Sequence, residues 1–163
     1  MKKILITGGN GQLAKTFKSI ETNYTSFKFV IKSKQDLDIT NYESLADEIL
    51  QNNYDFIINC AAYTDVNKAE EFKDRAISVN SNSVKYILEL INDTNCKLIQ
   101  FSSDYVFDGS KETEYSETDK VNPLNNYGYS KYLAEKHIIN STSQSTIIRT
   151  SWLFSEFNSN FVK

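Results

Sequence analysis

The sequence predicts an α/β fold, a doubly wound parallel sheet with helices on both faces. Three observations carry that prediction. Short apolar runs of strand length alternate with stretches of helical spacing along the chain. The runs are apolar throughout rather than alternating, as in strands buried on both faces. The first run, Lys2-Lys3-Ile4-Leu5-Ile6-Thr7, breaks into Gly8-Gly9-Asn10-Gly11 and a helical stretch follows at once. Strand, glycine turn and helix in that order aim free helix N–H groups and the positive dipole end at a phosphate.

The elements follow in order. Gln12 to Ser19 carries helix formers with an apolar stripe of Leu13, Phe17 and Ile20. Phe27 to Ile31 reads as the second strand, ending at Lys32-Ser33-Lys34. In dinucleotide-binding sheets this strand end meets the adenosine ribose, where a carboxylate would bond the 2′-hydroxyl. Ser33 and Lys34 suit a 2′-phosphate better, although a loop lysine also lies in solvent for no special reason. Leu37-Asp38-Ile39 reads as a short third strand. Thr40 and Glu43 fit a capping box ahead of Tyr42, Leu45, Ala46 and Ile49 at helical spacing. Phe56 to Ala62 is the next buried strand, and its small final residues let a flat cofactor approach the backbone. Asp65 to Leu90 is largely helical, with a break or strained turn expected at Asn80-Ser81-Asn82-Ser83. Lys97 to Ser103 is a strand. Asp104 to Asn125 is a long polar loop, and loops of this length within a domain are commonly functional. Tyr127 to Ile139 is a helix and Thr146 to Thr150 the last strand.

Composition narrows the function. At 163 residues the chain is most simply one domain, and 40% hydrophobic with 24% charged residues is ordinary for a globular protein. A net charge of −3 offers no basic patch for nucleic acid. No apolar run approaches membrane-spanning length, and nothing resembles a secretory leader. Cys60 and Cys96 lack metal-ligand spacing, so they read as reduced core thiols of a cytoplasmic protein and no metal site is expected. His137, the single histidine, sits mid-helix beside Lys136 and reads as a surface residue rather than a base.

Tyr127 and Lys131 stand four apart at the start of a helix and share one face. A phenol with pKa about 10 is a poor acid–base at neutral pH. A nearby ammonium stabilises the phenolate and is expected to lower that pKa toward the working range. Tyr132 and Lys136 have the same spacing, but they lie a turn further from the strand ends where α/β ligands bind. Ser102 or Ser103, at a neighbouring strand end, would add a hydroxyl to the substrate oxygen. Adjacent strand residues face opposite ways, so spacing alone does not choose between them.

With these residues in view, the chain resembles the extended short-chain dehydrogenase/reductases, and within them the dTDP-4-dehydrorhamnose reductases. The matching stretches are Thr7 to Ala14, Leu37 to Thr40, Asn59 to Val66, Ser102 to Gly109, Tyr127 to Lys131 and Arg149 to Trp152. Ser-Asp-Tyr-Val-Phe-Asp-Gly is the most specific of them. The resemblance implies a Rossmann-like fold and reduction of a 4-keto sugar nucleotide with NADP or NAD as cofactor. It implies Tyr127 as proton donor, Lys131 as its partner and ribose contact, and Ser103 rather than Ser102 as the carbonyl contact. It assigns Gly8, Gly11, Gln12 and Leu13 to the pyrophosphate, Asp38 and Ile39 to the adenine, and Ala61, Ala62 and Tyr63 along the cofactor. Lys34 joins this cofactor set. Asp104, Tyr105 and Trp152 fall where the family touches its nucleotide-sugar substrate. Ala14 stands at the third glycine position, and Ser103 replaces the commoner Thr. The family carries a C-terminal substrate-binding region. Residues 1–163 are therefore expected to be the NAD(P)-binding domain, with 152–163 the start of the next, binding cofactor and turning over substrate poorly. The resemblance leaves a homodimer of the full-length protein open. Two other readings stay open: another nucleotide-sugar epimerase or dehydratase of the extended family, and a non-catalytic regulatory subunit of the same fold.

Overall fold

Five of the apolar runs become strands of one parallel sheet in the computed structural model, which describes all residues, Met1–Lys163. The strands are β1 (Lys2–Thr7), β2 (Phe27–Ile31), β3 (Phe56–Asn59), β4 (Lys97–Ser103) and β5 (Ser145–Thr150). Their order across the sheet is β2-β1-β3-β4-β5. The chain passes from β1 to one side and then crosses to the other, so the direction of winding reverses between β1 and β3. In open α/β sheets ligands bind outside the carboxyl ends of the strands at that reversal.

The helices are α1 (Gln12–Ile20), α2 (Tyr42–Asn52), α3 (Val66–Glu71), α4 (Lys73–Ile77), α5 (Ser83–Ile91) and α6 (Asn126–Ile139). Alternation along each strand splits the core in two. Leu5, Ile57 and Leu98 pack with Leu45, Ile49, Val84, Ile87, Ile91 and Ala134 of α2, α5 and α6. Ile4, Ile6 and Ile58 face the other way, against Ala14 and Phe17 of α1. No helix is long and apolar enough to cross a membrane.

Several elements differ from expectation, each for a local reason. Leu37-Asp38-Ile39 is not a strand. Leu37 and Ile39 are buried in the larger core, but Asp38 Oδ1 accepts from Thr40 N at 3.0 Å and Thr40 Oγ1 at 2.7 Å, which turns the chain. With its hydroxyl so engaged, Thr40 does not cap α2. Asn41 does, accepting from Ser44 N at 3.0 Å. The strand begun at Phe56 stops at Asn59, three residues short of Ala62. The helical stretch from Val66 breaks at Phe72, not at Asn80. At Ser78–Asn82 it widens into a single π turn and runs on. Cys60 and Cys96 are both free thiols, Cys96 buried and Cys60 partly so.

Candidate active site

The glycine turn is shaped by close approach. Gly8 has φ +68°, and a Cβ there would stand 2.7 Å from the amide nitrogen of Ala61. Only glycine lets the end of β1 lie this near the chain leaving β3. Gly11 N–H donates back to the Gly8 carbonyl at 2.7 Å, and Gly11 then caps α1 without a side-chain hydrogen bond. No acidic residue sits in the first turn of α1. Its leading N–H groups are therefore left for an anion.

Above this turn a cleft of about 710 Å³ runs along the carboxyl edge of the sheet. Its walls include Gly8, Gly11, Gln12 and Leu13 at one end and Lys34, Asp38 and Ile39 beside the end of β2. Ala61 and Ala62 follow β3, and Tyr127, Lys131 and Trp152 close the far end. Of the residues expected at the site, Tyr63, Ser103, Asp104 and Tyr105 do not line it. The Tyr105 ring meets that of Tyr127 edge-on, with centroids 5.6 Å apart. Lys34 Nζ lies 3.8 Å from Asp38, whose carboxyl is held below its ordinary range, chiefly by the Thr40 hydroxyl. His137 is half-buried on α6 and lies away from the cleft.

Asn125 starts α6 by accepting from Gly128 N at 2.7 Å. A Cβ at Gly128 would stand 2.1 Å from the Tyr105 carbonyl, so the helix mouth presses directly on the short turn Asp104–Val106. This brings Tyr127 to the sheet edge and turns Lys131 beneath it. Lys131 is 4% exposed, and its Nζ donates to the Phe101 carbonyl at 2.9 Å. Burial lowers its pKa to about 8, with Cys60 and Glu135 acting in the opposite direction.

The phenol departs from expectation. Burial raises the Tyr127 pKa; the Ser103 hydroxyl opposes the shift, and the charges of Asp104 and Tyr105 add to it. The Lys131 ammonium is turned to the Phe101 carbonyl. Tyr127 is thus protonated throughout the neutral range, the form needed of a proton donor rather than a base. The two serines also divide. Ser102 lines the cleft, and its buried hydroxyl has no partner. Ser103 donates to Asp104 at 2.9 Å and accepts from Tyr105 N at 3.2 Å.

Sequence reasoning missed Asn80. Buried within the π turn, its side chain accepts from Tyr63 N at 2.8 Å and donates to Tyr63 O at 3.0 Å and Ser130 Oγ at 2.9 Å. It ties the segment after β3 to α6 in the residue next to Lys131. The widened turn at 78–82 falls on the run of Asn and Ser where a break or strained turn was expected. Also missed was the tail: Leu153 and Asn158 to Phe161 line the cleft, and Asn158 Nδ2 donates to the Asn10 carbonyl at 3.1 Å.

Comparison with known proteins gives a consistent set. Residues 1–163 match the family described as RmlD substrate binding domain. A dTDP-4-dehydrorhamnose reductase of Aggregatibacter actinomycetemcomitans is 39% identical over 163 residues, all of this chain and 55% of that protein. One of Sinorhizobium fredii is 34% identical over 161 residues, 99% of this chain and 54% of that protein. The crystal structure of dTDP-4-dehydrorhamnose reductase from Bacillus anthracis in complex with NADP superposes with a TM-score of 0.94 at 34% identity. It covers 99% of this chain and 58% of that one. The chain spans about half the length of the curated relatives it matches.

Proposed function

The chain belongs to the RmlD substrate binding domain family, and on that premise we propose that residues 1–163 form the cofactor-binding part of a reductase. Its cofactor is NADPH or NADH, and its substrate the nucleotide sugar dTDP-4-dehydro-L-rhamnose, reduced at the 4-keto group to dTDP-L-rhamnose. One observation carries the reading. Tyr127 and Lys131 share a single cleft with the glycine turn, across the winding reversal of the sheet. The relative from Bacillus anthracis with NADP bound supports the cofactor.

The residues present fit a dinucleotide. The uncapped start of α1 offers backbone N–H groups and a positive dipole end to a pyrophosphate. Ala61 and Ala62 line the cleft after β3 as the proposed contacts along the cofactor, and Asp38 and Ile39 line it beside β2 as the proposed adenine contacts. When bound, the reduced nicotinamide supplies a hydride to the carbonyl carbon. Tyr127 then gives its phenolic proton to the carbonyl oxygen, and a phenol with a raised pKa holds that proton until the alkoxide develops. Lys131 uses one of its three N–H donors on Phe101 and can turn the others to a ribose. The Ser103 hydroxyl opposes the rise in the Tyr127 pKa and so favours release of its proton. Asp104, Tyr105 and Trp152 are the proposed sugar-nucleotide contacts. A cytoplasmic setting, in keeping with two unpaired thiols, belongs to the same proposal. So does a homodimer of the full-length protein, which sedimentation reads directly.

Titration of NADPH into this chain, followed by nicotinamide fluorescence, tests the reading. Saturable binding is expected, and Gly8→Val should weaken it about tenfold or more, the equivalent of ~1.4 kcal/mol. Absence of binding by the unaltered, folded chain would overturn the reading. Steady NADPH oxidation with dTDP-4-dehydro-L-rhamnose is expected of the full-length protein and not of residues 1–163.

A further inference from the structure

A polar row crosses the sheet directly beneath the cleft. Thr7, Asn59 and Gln100 are in register on β1, β3 and β4, each 1% exposed or less. Two residues earlier on the same face stand Leu5, Ile57 and Leu98, wholly apolar and fully buried. Polar side chains buried here cost free energy unless paired, and these are paired in one direction. Ala61 N–H donates to Thr7 Oγ1 at 3.2 Å, and Thr7 Oγ1 donates to Asn59 Oδ1 at 2.6 Å. Asn59 Nδ2 donates to Gln100 Oε1 at 2.7 Å, and Gln100 Nε2 to the Phe101 carbonyl at 3.0 Å. That carbonyl is the one that holds Lys131.

We propose that Gln100 is a positioning residue for Lys131: backed by Asn59 and Thr7, its amide shares the Phe101 carbonyl with the ammonium and keeps it loosely held, free to turn into the cleft. The inference rests on Lys131 being the ribose and phenol partner. Two donors on one carbonyl weaken each other, and the aligned dipoles of the row present their positive end beside the ammonium. The other ionisable groups facing Lys131 do not replace this effect. Cys60 is pushed up to about 12 by burial and stays neutral, while Tyr127 stays protonated. Glu135, one turn along α6, is held by Arg149 through two bonds of 2.9 and 2.7 Å.

The test is the titration of Lys131 in this chain without cofactor, read by NMR of lysine labelled at Cε and assigned with Lys131→Arg. Gln100→Met keeps the volume and removes the competing donor. The Lys131 titration should move to higher pH by about half a unit or more, while the melting temperature reports any general loosening. Gln100→Asn keeps an amide in the row but falls short of the Phe101 carbonyl; it should shift Lys131 in the same direction and serves if the Met variant does not fold. An unmoved Lys131 titration in a folded variant would overturn the proposal. Failure of NADPH to bind the unaltered chain would instead overturn the reductase reading, so the two failures are distinct.

Discussion

At the scale of single residues, the proposed reduction turns on Tyr127 as proton donor. Tyr127→Phe in the full-length protein should lower turnover by about 10²–10⁴ with NADPH affinity nearly unchanged, as measured by steady-state rates beside a binding titration. Equal loss of both would deny it the role of proton donor. Because burial raises its pKa, turnover should hold through neutral pH and fall only on the alkaline side. That Tyr127 and Lys131 share one face at the mouth of α6 was legible from spacing, and both line the cleft. The direction of the phenol's shift was not, because burial by Tyr105 and the edge of β4 is a tertiary fact. Asn59 and Gln100 each stand amid an apolar run, and nothing in one strand's sequence tells which partner an inward amide will meet. Ser102 and Ser103 show the same limit: spacing left them equal, while in the structure the Ser103 hydroxyl is bonded to Asp104 and Tyr105 and the Ser102 hydroxyl has no partner.

At the scale of elements, contiguous apolar runs made the strands legible, and β4 matches its expected bounds, Lys97–Ser103. Short segments rich in Asp, Asn and Thr were not, because side chains there compete with backbone pairing, as Asp38 does with Thr40. One contact ties α6 to the last strand: Arg149 of β5 grips Glu135 of α6, which is 1% exposed. Arg149 also donates to the Glu117 carbonyl at 3.1 Å and so fastens the long loop. Arg149→Met leaves a buried carboxylate without its partner and should cost about 3–5 kcal/mol, read by denaturant melts. A loss within ~0.5 kcal/mol, the size of an ordinary surface change, would show the clamp to be idle.

At the scale of the whole molecule, parallel winding was legible, while the strand order was not, because β2 and β3 lie on opposite sides of β1 by tertiary choice. That choice creates the cleft and buries Lys131 beneath it. The burial has a consequence for stability. The folded chain releases the Lys131 proton near pH 8, against 10.5 for an ordinary lysine. Between those values the unfolded chain binds the extra proton, so unfolding free energy rises with pH across that window. Relative to Lys131→Met, the unaltered chain should gain stability from pH 8 to 10.5; a flat difference would place the ammonium in solvent. A crystal structure of the chain with NADP would show whether a pyridine dinucleotide lies along the carboxyl edge of the sheet. The pyrophosphate is expected on the amides that open α1, with the nicotinamide beside Tyr127 and its ribose within reach of Lys131. A pyrophosphate bound away from Gly8–Leu13, or a nicotinamide turned away from Tyr127, would contradict it.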